Sequence, residues 1–196
     1  MEAFSDGVFA IAITLLVLEI SVPPGSEGDL LGALADQWPS YLAYFVSFST
    51  IGAVWLAHTV ITEYLDHSDS VFLRLNLLLL MLVSFLPFPT RLLAEYAATS
   101  EPERIAATVY GINLLLALTM LSIVWRYAVI EKLVRPDLAD EDVKTLTRRL
   151  TPSLGVYVVM IVLGLFLPLL AVLGYLALAL FILVPFGVIR HRAGHA

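Results

Sequence analysis

Residues 75–90, 105–125 and 150–189 contain no charged side chain, and these runs limit what the chain can fold into. A helix in a water-soluble domain presents a polar face to solvent, and these runs have no charge with which to build one. The 196 residues are 60% hydrophobic and 14% charged, whereas soluble domains are nearer half apolar and about a quarter charged. Long uncharged runs in such a composition indicate an all-α integral membrane protein that crosses the bilayer several times. The net charge of −6 argues against nucleic-acid binding, which needs a basic patch. The chain has no cysteine, so disulfides, thiol catalysis and thiolate metal sites are excluded. A cleavable signal peptide is not expected, because the first apolar run lacks a basic leading segment.

Charge and turn residues divide residues 1–196, read as a single domain, into six expected spans. They cover about 4–22, 39–64, 71–93, 104–127, 152–168 and 170–189. The first stops at Pro23-Pro24-Gly25, and the charged stretch from Glu131 to Arg149 reads as a short surface helix between the fourth and fifth. Residues 152–189 as one helix would extend roughly 57 Å, against roughly 30 Å of hydrocarbon. Two helices with a tight turn near Pro168 fit better, Gly174 being the alternative turn.

Six spans place Arg74, Arg126, Lys132, Arg135, Lys144, Arg148, Arg149, Arg190 and Arg192 on one side and only Arg91 and Arg104 on the other. Basic residues accumulate in cytoplasmic loops, so both termini are expected in the cytoplasm, at the cell membrane. Trp38, Tyr41, Tyr64, Trp125 and Tyr127 lie at expected span ends, where interfacial aromatic belts form.

The first span carries Asp6 near one end, Glu19 near the other and Thr14 between them. Ionisable groups at membrane depth face protein or water rather than lipid. Helical spacing puts Ile11, Thr14, Leu15, Leu18 and Val22 on one stripe. That stripe reads either as a packing face or as a pore face, with apolar rings that constrict by dewetting and Thr14 offering oxygens to a cation. Asp6 and Glu19 would then mark the two mouths, the carboxylate of Glu19 reading equally as a headgroup-zone residue. His58, in the second span, comes to a depth similar to Asp6, and a histidine–carboxylate hydrogen bond would satisfy both. A structural histidine is the favoured reading, since a resident metal needs more donors than these two. Enzyme motifs are missing: Ser5-Asp6 with His58 lists the residue types of a triad but not its arrangement, and no zinc or phosphate-loop motif occurs.

Phe4-Ser5-Asp6-Gly7-Val8-Phe9-Ala10-Ile11-Ala12-Ile13-Thr14-Leu15-Leu16 closely resembles the first-helix signature of the transmembrane-protein-175 family of potassium channels, prokaryotic branch. Trp55-Leu56-Ala57-His58 resembles a second motif of that family. The family pattern also has an arginine four residues before Phe4, a position ahead of Met1. The resemblance implies a homotetramer in the lipid bilayer whose first helices line a central pore, passing monovalent cations with no carbonyl-type filter and no cofactor. It implies a constriction at Ile11, with Leu15 and Leu18 continuing the apolar lining and Thr14 as its polar position. It also implies a polar network of Ser5, Asp6, Trp55 and His58 near the cytoplasmic side. The expected function is potassium-selective conduction, with potassium as a transient occupant. A proton-coupled transporter using Asp6, Glu19 and His58 as relay is one alternative, and a non-conducting membrane scaffold is another.

Overall fold

Capping residues and prolines set several of the helix starts. In the computed structural model, which describes residues 1–97 and 100–183, the α-helices follow in the order α1 (Glu2–Leu15), α2 (Leu30–Asp36), α3 (Trp38–Tyr64), α4 (Ser70–Phe85), α5 (Pro87–Tyr96), α6 (Ser100–Ile130), α7 (Asp140–Gly164) and α8 (Pro168–Leu183). Asp29 caps α2 by accepting from the Gly32 amide at 3.0 Å, and Asp69 caps α4 by accepting from the Phe72 amide at 2.7 Å. Pro39, Pro87 and Pro168 occupy first turns, where a missing N–H leaves no bond unmade. Among the described residues there is no strand element, only an isolated antiparallel bridge between Leu65 and Val134.

Trp38–Tyr64, Ser70–Tyr96 and Glu101–Ile130 are long and apolar enough to cross a membrane, whereas Leu154–Gly164 and Pro168–Leu183 are shorter apolar helices. Helix α1 differs from the expected 4–22 span. It ends at Leu15, tightens into a 3₁₀ turn over Leu16–Glu19, and leaves helical geometry at Ile20. Together these two pieces reach roughly 29 Å, still close to the thickness of the hydrocarbon layer. The charged segment before the fifth apolar run is not a separate short helix. Its second half is the start of α7, which runs without a break from Asp140 to Gly164. The turn after it is where Pro168 implied, and Gly174 lies inside α8 against Met160. The third apolar segment is two helices, because Pro87 removes one ladder bond. The Leu86 amide bonds back to the Val83 carbonyl at 3.1 Å, and the Thr90 hydroxyl donates to the Leu86 carbonyl at 2.8 Å.

Loop contacts define the two ends of the bundle. At one end the chain after α3 pairs with the chain after α6: the Asp66 amide donates to the Leu133 carbonyl at 2.9 Å, and the Arg135 amide to the Tyr64 carbonyl at 3.0 Å. At the other end Arg91 of α5 meets Glu19 at the close of the first helix. Arg190 and Arg192, counted in the charge asymmetry, lie outside the described residues, as does the end of the span expected over 170–189.

Helix α1 packs on α3 and α4, α6 lies along α7, and α8 along α3. Trp125 is not an interfacial belt residue: it is 1% exposed, donates from Nε1 to Thr147 Oγ1 at 2.8 Å, and packs its ring at a tilt against that of Tyr64. Helices α6 and α8 touch closely at Gly111, where the Tyr175 hydroxyl fills the space a Cβ would take. Large apolar side chains such as Phe45, Met81 and Phe181 stand exposed on the outer surface, as a lipid-facing surface allows.

Candidate functional site

The first helix divides lengthwise into a packed face and a bare one. Ser5, Phe9, Ala12 and Leu16 are buried, at spacings of three and four residues. The opposite face carries Phe4, Gly7, Ile11, Thr14, Leu15 and Leu18, all exposed. Ile11 is 62% exposed, Leu15 41% and Leu18 70%. The 3₁₀ turn helps to keep this face continuous, because residues three apart eclipse in that geometry and Leu18 stays in line with Leu15. Val22 lies beyond the turn and ends up off the helical stripe. The Thr14 hydroxyl donates to the Ile11 carbonyl at 3.0 Å, which fixes its proton and leaves the oxygen lone pairs able to accept.

Polar bonds fasten the packed face at its start. The carboxylate of Asp6 accepts from Trp55 Nε1 at 2.9 Å. His58 takes a different partner from the one expected: its Nε2 pairs with Asn76 Oδ1 at 2.7 Å. A carbonyl oxygen only accepts, so Nε2 carries the proton in this pair. The Asn76 amide nitrogen then donates to Ser5 Oγ at 3.0 Å. Ser5, His58 and Asn76 are all buried, and the ring of Phe9 lies 5.5 Å from that of His58. These are three bonds in two groups: Ser5 and His58 are joined through Asn76 of α4, whereas Asp6 bonds to Trp55. A lone Asn in the uncharged run 75–90 was the available signal for Asn76.

A second buried polar cluster joins α3, α5 and α6. Ser47 Oγ of α3 lies 2.7 Å from Thr90 Oγ1 of α5 and 3.0 Å from the Tyr110 hydroxyl of α6. Three consecutive apolar runs each contribute one hydroxyl, so no single run reveals it.

Glu19 closes the first helix at the other end. It has a basic partner, Arg91, whose Nε is 3.7 Å from its carboxylate and 3.8 Å from that of Glu95. These groups border a cavity of about 560 Å³ lined by Leu18, Glu19, Ser21, Gln37, Ser40, Arg91, Ala94 and Glu95. Among the described residues no three His, Cys, Asp or Glu side chains converge to hold a metal ion.

A family model described as the endosomal/lysosomal potassium channel TMEM175 matches residues 1–87. A potassium channel of Chamaesiphon minutus is 44% identical over 164 residues, covering 81% of this chain and 80% of that protein. The chain belongs to the TMEM175 family, in its prokaryotic branch. A potassium channel of Streptomyces collinus is 47% identical over 127 residues, 64% of this chain and 62% of that protein, just under two thirds of its length. In three dimensions the chain is similar to the crystal structure of a lysosomal potassium-selective channel TMEM175 homolog from Chamaesiphon minutus. The TM-score is 0.86 at 38% identity, over 95% of this chain and 96% of that one. The residues matched by the TMEM175 family model take in α1, α3 and α4, and with them every member of the Ser5–Asn76–His58 and Asp6–Trp55 bonds.

Proposed function

We propose that this TMEM175 chain is one subunit of a potassium-selective cation channel, a homotetramer whose first helices line the conduction path. Six spans with both termini in the cytoplasm, at the cell membrane, complete this reading. The observation that carries it is the bare face of α1: Ile11, Thr14, Leu15 and Leu18 are uncovered on a helix whose other face is firmly packed. A first helix at the edge of a lone bundle would face lipid there, and Thr14 would gain nothing; on a symmetry axis the same residues meet their own copies around an aqueous path. Potassium is the ion because the bacterial relatives are named potassium channels and the similar crystal structure is titled a potassium-selective one.

In this reading a ring of Ile11 side chains is the narrowest point, and Leu15 and Leu18 extend the apolar lining. An apolar constriction passes only ions that shed water readily, and sodium holds its water more tightly than potassium. No carbonyl-type filter is required. The distribution of basic residues supports this orientation. Arg74, Arg126, Lys132, Arg135, Lys144 and Arg148 belong to elements that meet at the α3–α4 and α6–α7 end of the bundle, and Arg91 and Arg104 to the opposite end. Asp6, His58 and Glu19 each engage a different partner, which favours conduction over a proton relay among the three.

Purified protein in liposomes tests the proposal through separate potassium and sodium fluxes. Potassium flux exceeding sodium flux is expected, and Ile11→Asn is expected to raise total flux while lowering the potassium-to-sodium ratio. No flux in the unaltered protein would leave the scaffold alternative. An unchanged ratio in Ile11→Asn would remove Ile11 as the constriction.

A further inference from the structure

The polar cavity at the end of α1 bears on how ions reach the stripe. Leu18, the last residue of the stripe, forms part of its wall beside Glu19, Gln37, Ser40, Arg91 and Glu95. On the channel reading, an ion entering along the stripe from this end passes the charged group on that wall. Arg91 lies between two carboxylates, 3.7 Å from Glu19 and 3.8 Å from Glu95, so two negative charges and one positive leave a sum of −1.

We propose that Arg91 is a tethered counter-ion that sets how strongly the mouth of this channel recruits cations. The inference rests on the channel reading above and adds to it a residue pair, Arg91 and Glu95, that the stripe does not include. The Arg91 side chain is 64% exposed and Glu95 54%, and ion pairs so exposed contribute little to stability. Their charge, however, acts on every ion that approaches. A wall lined by one sign of charge raises the local concentration of counter-ions and the rate of their entry. With the guanidinium in place each subunit offers half the charge its two carboxylates would offer alone. Repetition around a symmetry axis multiplies that difference at a single mouth.

Potassium conductance in planar bilayers at ~10 mM and ~1 M potassium chloride tests this, the screening length falling from about 30 Å to about 3 Å. Arg91→Gln is expected to raise conductance roughly two- to fivefold at the low concentration and to leave it within about 1.2-fold at the high one. Arg91→Lys keeps the charge and is expected to match the unaltered channel at both. Glu95→Gln is expected to lower conductance at low salt only. A ratio for Arg91→Gln that is one or below at low salt, or equal at both salts, overturns the proposal. Should that variant fail to assemble, Glu95→Gln decides alone, and low-salt conductance equal to or above that of the unaltered channel overturns it. Unaltered protein that conducts nothing overturns the channel reading and this inference with it; conduction with salt-independent variants overturns this inference alone.

Discussion

Asn76 uses both ends of its amide inside the bundle, accepting from His58 and donating to Ser5. A buried hydrogen bond between membrane helices contributes on average about 0.6 kcal/mol and at most about 1.7, and a buried polar group left unpaired costs about 1–3 kcal/mol. Asn76→Leu removes two bonds at once and strands both partners, so a loss of about 2–3 kcal/mol is expected. Trp55→Phe breaks a single bond to a carboxylate that water can reach, and about 1 kcal/mol or less is expected. Melting of the detergent-solubilised protein, followed by size-exclusion fluorescence, ranks the two. Equal losses would mean that the buried bonds do not seat α1. This chain of bonds was half legible beforehand. Ser5, Asp6, Trp55 and His58 stood out because polar residues in apolar runs need partners, but nothing in one dimension says which partner. Asp6 and His58 are complementary in charge, yet Trp55 precedes His58 by nearly one turn and reaches Asp6 first. Asn76 is uncharged, so a search for ionisable groups passes it over.

The elements show where charge patterning stops being a guide. Uncharged runs indicate how deep a segment lies, but helix continuity depends on backbone bonds that ignore the change from water to lipid. Hence α7 begins among Asp140, Glu141 and Asp142 and continues to Gly164 as one helix. The 3₁₀ turn at Leu16–Glu19 was equally invisible, because the same apolar residues fit either helix type. Helix starts were more legible, since Asp69 and Pro168 have a local chemical reason to stand where they do. Asp69 also joins elements: its carboxylate accepts from the Phe72 amide at 2.7 Å and from the Tyr127 hydroxyl of α6 at 2.7 Å. The Tyr127 hydroxyl first, and the Phe72 amide second, hold its carboxyl below the usual carboxylate range. A lowered folded pKa means that Asp69 contributes its stability above the unfolded value, about 3.9. That contribution is lost as pH falls through the lowered folded value. Asp69→Ala is therefore expected to melt below the unaltered protein at pH ~6, with the gap closing toward pH ~2. A gap that stays constant across this range would show that the cap acts without its charge.

At the scale of the whole molecule, the channel reading assigns the apolar surface to two different environments. Phe45, Met81 and Phe181 are as exposed on the single chain as Ile11 and Leu18 are. Hydropathy cannot separate them, since lipid and a dry constriction both accept leucine and isoleucine. Thr14 is what the proposal relies on to separate them at α1, and the family resemblance rests on the same helix. The two kinds of surface make different predictions once copies assemble. A stripe on a symmetry axis meets the same stripe from its neighbours, because cyclic assembly brings equivalent residues together around the axis. The chain has no cysteine, so a single introduced thiol reports on one position without background. Leu18→Cys is expected to cross-link between subunits on mild oxidation in membranes and to run as a dimer on a denaturing gel. Phe181→Cys, which is 74% exposed on α8, is expected to remain monomeric. Disulfides form only when Cα atoms approach within about 7 Å, so the comparison separates an axial position from an outward one. Cross-linking at Phe181 without cross-linking at Leu18 would place α8, not α1, at the centre of the assembly.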